Sequence, residues 1–306
     1  MREASTGSPQ VFRGIVMVLT AVAIFSVLDV LSKYLTRFYP VPLVVWGRFT
    51  FHLLLVLVYL GSRSDLALVR TGRPWAQVTR GLLLAIASIL FVSALKYMPL
   101  AETSAIAFLA PLLVTVMSVL FLKEKVELAR WIAVVCGFVG VLAIIRPGSN
   151  VFTWAVLLPL GNALAFAAYQ ILTRRLAGLE SPYTSIFYAG LIGTLLMTAM
   201  LPYSWVMPQN GMHAAIFVII GMLGGLGHLI LIKAYNCAPA SRLAPFSYSQ
   251  LIWVAIIGFL VFGDFPDTWS LIGIAILMAS GIYTATHQRI SDRLQHGEQT
   301  NVPPSA

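Results

Sequence analysis

Of the 306 residues, 59% are hydrophobic and only 10% are charged, with a formal net charge of +9. A soluble domain is about a quarter charged, so a water-soluble globule is excluded. The long apolar runs between Phe12 and Thr286 also lack the ~10-residue alternation of a transmembrane barrel. They predict an all-α integral membrane protein with ten transmembrane helices.

The polar stretch 1–11, "MREASTGSPQV", precedes the first run and does not resemble a secretory signal. Span 1 (12–35) contains "SVLDVLSKYL", with Asp29 and Lys33 one helical turn apart. Pro40 and Pro42 mark the entry to span 2 (41–60), which carries Arg48 and His52. Span 3 (78–97) ends at Lys96, and Pro99 leads into span 4 (100–122) with Glu102 in its first turn. An acidic turn at Glu124 precedes span 5 (129–146), whose small residues are Gly137 and Gly140. Span 6 (151–174) contains "NALAFAAYQ", with Asn162, Tyr169 and Gln170. Span 7 (182–201) holds Tyr188. Span 8 (213–235) holds Gly221, Gly224, Gly225, Gly227 and His228. Span 9 (241–263) contains "APFSYSQLIW", with Tyr248 and Gln250, and closes on Asp264 before span 10 (268–286). The polar tail 287–306 is expected to be disordered and cytoplasmic. Cys136 and Cys237 have no metal or redox spacing and are expected to be buried packing residues.

The basic residues lie at span ends rather than along one face, which argues for a topology signal and against a nucleic-acid partner. With the N-terminus in the cytoplasm, fifteen of the twenty Lys and Arg fall on cytoplasmic segments and four outside, with Arg48 within a span. Both termini are therefore expected inside. The absence of signal, glycosylation and retention features points to a bacterial inner membrane.

A shift of 140 residues lays the spans on one another without a gap. Val11-Phe12 falls on Val151-Phe152, Pro42 on Pro182, Gly81 on Gly221, Pro99 on Pro239 and Glu124 on Asp264. Five spans per copy is an odd number, so the second copy, 151–286, starts on the opposite side of the membrane from the first, 12–146. Two inverted five-helix repeats place a substrate site between the halves near the midplane.

Two stretches carry a resemblance to a known family. They are "ALKYMPLAETSAIAFLAPLLVTVMSVLFLKEKVELARWIAVVCGFVGVLAII" (94–145) and "AYNCAPASRLAPFSYSQLIWVAIIGFLVFGDFPDTWSLIGIAILMASGIY" (234–283). The chain resembles the EamA family of the drug/metabolite transporter superfamily over roughly 12–286. Its opening Asp29, Lys33, Pro42 and Arg48 are similar to a subgroup of riboflavin and S-adenosylmethionine uptake carriers. The resemblance implies a transporter of small metabolites.

A charge at mid-bilayer costs ~2.5–3.5 kcal/mol on insertion scales, so intramembrane charges mark function by default. Asp29 lies six residues before the end of span 1, ~9 Å deep at ~1.5 Å per residue. Arg48 is eight residues past Pro40, ~12 Å deep by the same rise, which puts the two at similar depth. Asp29, Lys33, Arg48 and Glu102, with Lys96, form a slightly positive half-site suited to an anionic or zwitterionic metabolite. Asn162, Tyr169, Gln170, Tyr188, Tyr248 and Gln250 form an aromatic and amide half-site in the second repeat. Each has a plainer alternative: mutual neutralisation of Asp29 and Lys33, snorkelling lysines, an interfacial aromatic belt, or helix packing by His228.

The chain is thus expected to be a secondary carrier with a small-molecule substrate, in the lipid bilayer, with no cofactor and no metal. Asp29, Glu102 and His228 are candidates for ion coupling. A monomer is expected because both halves share one chain, and a dimer is compatible. The competing readings are an intramembrane enzyme and a channel. His52, His213, His228, His287 and His296 show no H-E-x-x-H spacing, and no repeated filter sequence occurs.

Overall fold

A computed structural model describes residues 8–62, 69–123, 126, 128–146, 153–176, 179–238, 243 and 246–300. The expected acidic turn at Glu124, the boundary residues Pro147 and Pro239, and residues 301–306 of the expected tail lie outside them. The described chain is helical: α1 Ser8–Leu35, α2 Val41–Ser62, α3 Pro74–Tyr97, α4 Leu100–Ala107, α5 Ala110–Leu122 and α6 Leu128–Ile145. There follow α7 Leu157–Leu176, α8 Pro182–Met200, α9 Gly211–Cys237, α10 Ser249–Phe262 and α11 Thr268–Thr300. With Leu100–Phe121 counted as one, eight stretches are long and apolar enough to cross a membrane; Ser249–Phe262 and Thr268–Thr284 are shorter apolar helices. Ten apolar stretches therefore stand where ten spans are expected. Their outer faces are bare hydrocarbon, as at Val58 and Leu260, 70% and 74% exposed, which lipid tails tolerate and water does not.

Among the differences from the expected spans, three bear on the packing. Helix α3 starts at Pro74 rather than 78, because proline fits the first helical position, where no amide donor is required. Helix α11 runs past 286 to Thr300. Span 4 divides into α4 and α5 at Phe108 and Leu109. Pro111 has no N–H for the carbonyl of Ala107 and cannot continue an unbroken ladder. Residues 246–247 are helical and Tyr248 is a turn before α10, so a second interruption stands 140 residues after Phe108. The two rings, Phe108 and Tyr248, pack on each other with centroids 5.4 Å apart.

Helix α1 packs on α9 and α10, α2 on α8 and α9, α3 on α7 and α8, α5 on α7, α6 on α11, and α4 on α10. Glycines set the closest approaches. Gly221 and Gly225 meet Phe51 and Leu55 of α2, while Gly224 and Gly227 meet Leu28 and Phe25 of α1. Gly140 and Gly273 let the backbones of α6 and α11 touch. One expectation is corrected here. Cys136 is exposed, on the outer face of α6 beside Val135 and Val139, since Gly137 and Gly140 occupy the inward stripe.

At the end of the bundle where α6 stops and α11 starts, Asp267 caps α11: its Oδ1 accepts from Ser270 N at 2.8 Å, and Arg146 pairs with Oδ2. The Ser270 backbone N–H, foremost, and Arg146 hold the Asp267 carboxyl below its ordinary 3.8, against a smaller effect of burial. A depressed carboxylate contributes stability above its unfolded pKa and loses it as pH falls through the folded one. Asp267→Ala is expected to cost about 0.5–2 kcal/mol at pH 7, typical of a lost cap. The gap between variant and wild-type melting midpoints should narrow as pH drops below 3.8. A gap independent of pH would show that the charge contributes nothing.

Candidate functional site

The charges inside the helices sort into three groups. The central group joins α1, α2 and α10. Asp29, 5% exposed, has Oδ1 at 3.7 Å from Arg48 Nη1, and Gln250 Nε2 donates to its Oδ2 at 3.3 Å. Arg48 projects from one turn of α2 and His52 from the next. The His52 ring lies 5.8 Å from that of His228 on α9, which also packs on Phe25 at 5.1 Å. His52 Nε2 is buried without a hydrogen-bond partner among the described residues.

The second group closes one end of the bundle. Lys33 Nζ donates to Met98 O at 3.0 Å and pairs with Asp264 Oδ2 at 3.2 Å. Asp29 and Lys33 therefore have separate partners and do not neutralise each other. Lys33 and Arg37 both lie over the Phe262 ring, 5.1 and 4.7 Å from its centroid. Beside them opens a cavity of about 510 Å³ lined by Lys33, Thr36, Arg37, Lys96, Met98 and Asp264 among others. Three cations face one carboxylate there, so an anion approaching this mouth is attracted. Glu102 is half-buried nearby on α4, and its Oε2 has no hydrogen-bond partner among the described residues.

The third group was not singled out by sequence reasoning. Arg80, the third residue of the expected span 3 and counted among the cytoplasmic-side charges, is the seventh residue of α3 and only 3% exposed. It donates to Ser185 O on α8 and to Thr173 Oγ1 on α7 at 3.5 Å, and its guanidinium lies 5.3 Å from the centroid of Tyr169. Gln77, one turn earlier, reaches Glu180 Oε2 and Ser185 Oγ, each at 3.5 Å. The signal that could have found Arg80 is "RPW": reading Pro74 as the first helical residue carries Arg80 well inside the helix.

The second-repeat candidates divide. Gln250 reaches the central group and Tyr169 the third, with half-buried Gln170 beside it in sequence. Asn162 donates to Ala87 O at 2.9 Å, which ties α7 to α3. Tyr248 is 4% exposed within the apolar cluster of α4, α5, α6 and α11, and Tyr188 packs with Phe187, Val56 and Leu60. One arginine, one carboxylate and an amide meeting inside an apolar bundle can hold a charged or zwitterionic solute by charge-assisted hydrogen bonds. Among the described residues, no three His, Cys, Asp or Glu side chains are placed to hold a metal ion.

The model of the EamA-like transporter family matches residues 12–146 and 153–286. A protein described as an S-adenosylmethionine uptake transporter from Rickettsia prowazekii is 28% identical over 290 residues, 94% of this chain and 97% of that protein. A riboflavin transporter from Vibrio cholerae is 30% identical over 271 residues, 88% of this chain and 91% of that protein. A solved crystal structure superposes with a TM-score of 0.65 at 20% identity, over 90% of this chain and 98% of that one, a likeness of fold.

Proposed function

The chain belongs to the EamA-like transporter family, and from that premise we propose that it is a secondary carrier of a small polar or zwitterionic metabolite working by alternating access. The observation that carries this reading is the Asp29–Arg48–Gln250 cluster, buried in a multi-pass membrane protein and assembled from both halves of the chain. A charged solute crossing the membrane needs such a place, and a purely structural core does better with apolar side chains. The relatives' names, an S-adenosylmethionine and a riboflavin transporter, support a nitrogen-rich metabolite with a planar ring, for which Tyr169 offers an aromatic face.

The helix packing supports two inverted repeats, 12–146 and 151–286. Helix α1 packs on α9 and α7 on α3; α2 packs on α9 and α8 on α3. A 140-residue shift exchanges the members of each pair. Rocking of one half on the other would expose the cluster to each side in turn. Asp29 and Glu102, with His228, are the groups that could couple an ion gradient to the solute. On this reading both termini face the cytoplasm across a bacterial inner membrane, which the fifteen-to-four split of Lys and Arg supports, and one chain suffices for transport.

The test is flux in proteoliposomes containing the purified protein, with radiolabelled S-adenosylmethionine and riboflavin as probes. Uptake of at least one is expected to saturate and to accelerate when the unlabelled compound is loaded inside. Flux linear in concentration with no such acceleration would replace the carrier with a channel. No flux of either would remove this substrate class.

A further inference from the structure

Arg80 is a cation buried in the bundle, 3% exposed, whose described partners are all neutral: a backbone carbonyl, a threonine hydroxyl and the Tyr169 ring. Its Nε has no hydrogen-bond partner among the described residues. The described ion pairs join Lys33 to Asp264, Arg48 to Asp29 and Arg146 to Asp267, and none of them involves Arg80. A buried guanidinium remains charged, and a buried charge without a counter-charge is strongly unfavourable. The comparison with Arg48 shows what is missing. In the first half, Arg48 faces a carboxylate at position 29. Arg80 lies in the same half, but among the described residues the Tyr169 ring, 140 positions after Asp29, stands beside it in place of an acid.

We infer that Arg80 is the anchor for a free carboxylate of the transported solute, which makes the substrate an amino-acid-type metabolite with a carboxylate near an aromatic group. The ligand supplies the acid that Arg80 lacks. The guanidinium donates to its two oxygens, a geometry that arginine fits better than lysine. Tyr169 lies beneath the guanidinium and offers an aromatic face to the rest of the solute. On this assignment, carboxylate-bearing compounds are preferred over neutral ring compounds such as riboflavin.

This inference rests on the carrier reading, and the experiment separates the two. The probes are S-adenosylmethionine and its decarboxylated analogue, which differ only in the carboxylate, measured as competing uptake in proteoliposomes. Wild type is expected to prefer the carboxylate form at least about tenfold, the worth of one good charge-assisted contact. Arg80→Gln should bring the ratio to within about twofold, and Arg80→Lys should restore part of it. Because Arg80 also binds Ser185 O, Arg80→Gln can fail to fold, and Tyr169→Asp provides a second route. It leaves Arg80 in place and supplies an internal counter-charge, so the preference should vanish while the protein stays folded. A wild-type ratio near one, or a preference that survives Arg80→Gln or Tyr169→Asp, would overturn the assignment while leaving the carrier intact. If wild type moves neither probe and not riboflavin either, this substrate class is removed and the assignment falls with it.

Discussion

Arg48→Ala is expected to lower transport by about two orders of magnitude while the protein still reaches the membrane in reduced amount. Arg48 and Asp29 stand 3.7 Å apart with side chains 19% and 7% exposed, and the Gln250 amide is the other described contact of that carboxylate. Removing one partner of a buried charge pair strands the other charge and costs about 2–5 kcal/mol. At ~1.4 kcal/mol per factor of ten, that is roughly thirty- to several-thousand-fold. Part of the loss is the stranded partner rather than the missing contact. Asp29→Asn keeps the shape and the Gln250 contact and should be milder for folding, yet it leaves Arg48 without its counter-charge. The double variant Asp29→Leu/Arg48→Leu separates structure from function. Replacing a buried ion pair by apolar residues is often neutral or stabilising, so the double variant should recover the melting midpoint lost in Arg48→Ala. It should not recover transport, since no charge remains to meet the solute. A double variant that carries solute at the wild-type rate would reduce the pair to a packing element.

The pairing of Asp29 with Arg48 was within reach of the sequence because it depends on local quantities. A rise of ~1.5 Å per residue and one proline boundary put both at one depth on neighbouring helices. The third member, Gln250, was not readable as a partner. It is 221 residues from Asp29, and no local pattern encodes which helix faces which. The same holds for Lys33, whose nearest acid in sequence is Asp29 but whose acid in space is Asp264, 231 residues on. Arg80 was lost for a different reason. As the third residue of the expected span 3, it stood at a span end, where a basic residue reads as a topology signal. In the fold, a carbonyl, a hydroxyl and an aromatic ring meet that guanidinium, and the helix begins earlier. The break at Phe108 had a visible cause in Pro111, but apolar composition on both sides reads as one continuous span. Asn162 shows the converse. An amide within a span looks like a ligand contact, yet its Nδ2 donates to the backbone at Ala87 O, which the composition of α7 alone does not reveal.

The second large effect belongs to a glycine. A Cβ on Gly221 of α9 would lie against the Phe51 Cβ and 2.9 Å from both Gly47 O and His52 N. Those last two atoms are backbone, so no side-chain rotation makes room, and α9 must move off α2. The segment it would move from is the turn that carries Arg48. Overpacking a close contact typically costs about 1–3 kcal/mol and more where nothing yields. Gly221→Leu is therefore expected to lower the melting midpoint of the detergent-purified protein sharply and to reduce its monodisperse yield. Gly221→Ala should fold but carry solute more slowly, because one methyl already holds α9 away from the turn beneath it. Gly61→Ala on α2 is the matched control, since nothing lies within 4 Å of its added Cβ. Alanine favours the helix by up to ~1 kcal/mol over glycine, so this variant should melt at or slightly above wild type. Equal midpoints for Gly221→Leu and Gly61→Ala would mean that α9 does not rest on the backbone of α2. The central cluster would then have to be held in place by the Gln250 side of α10 alone.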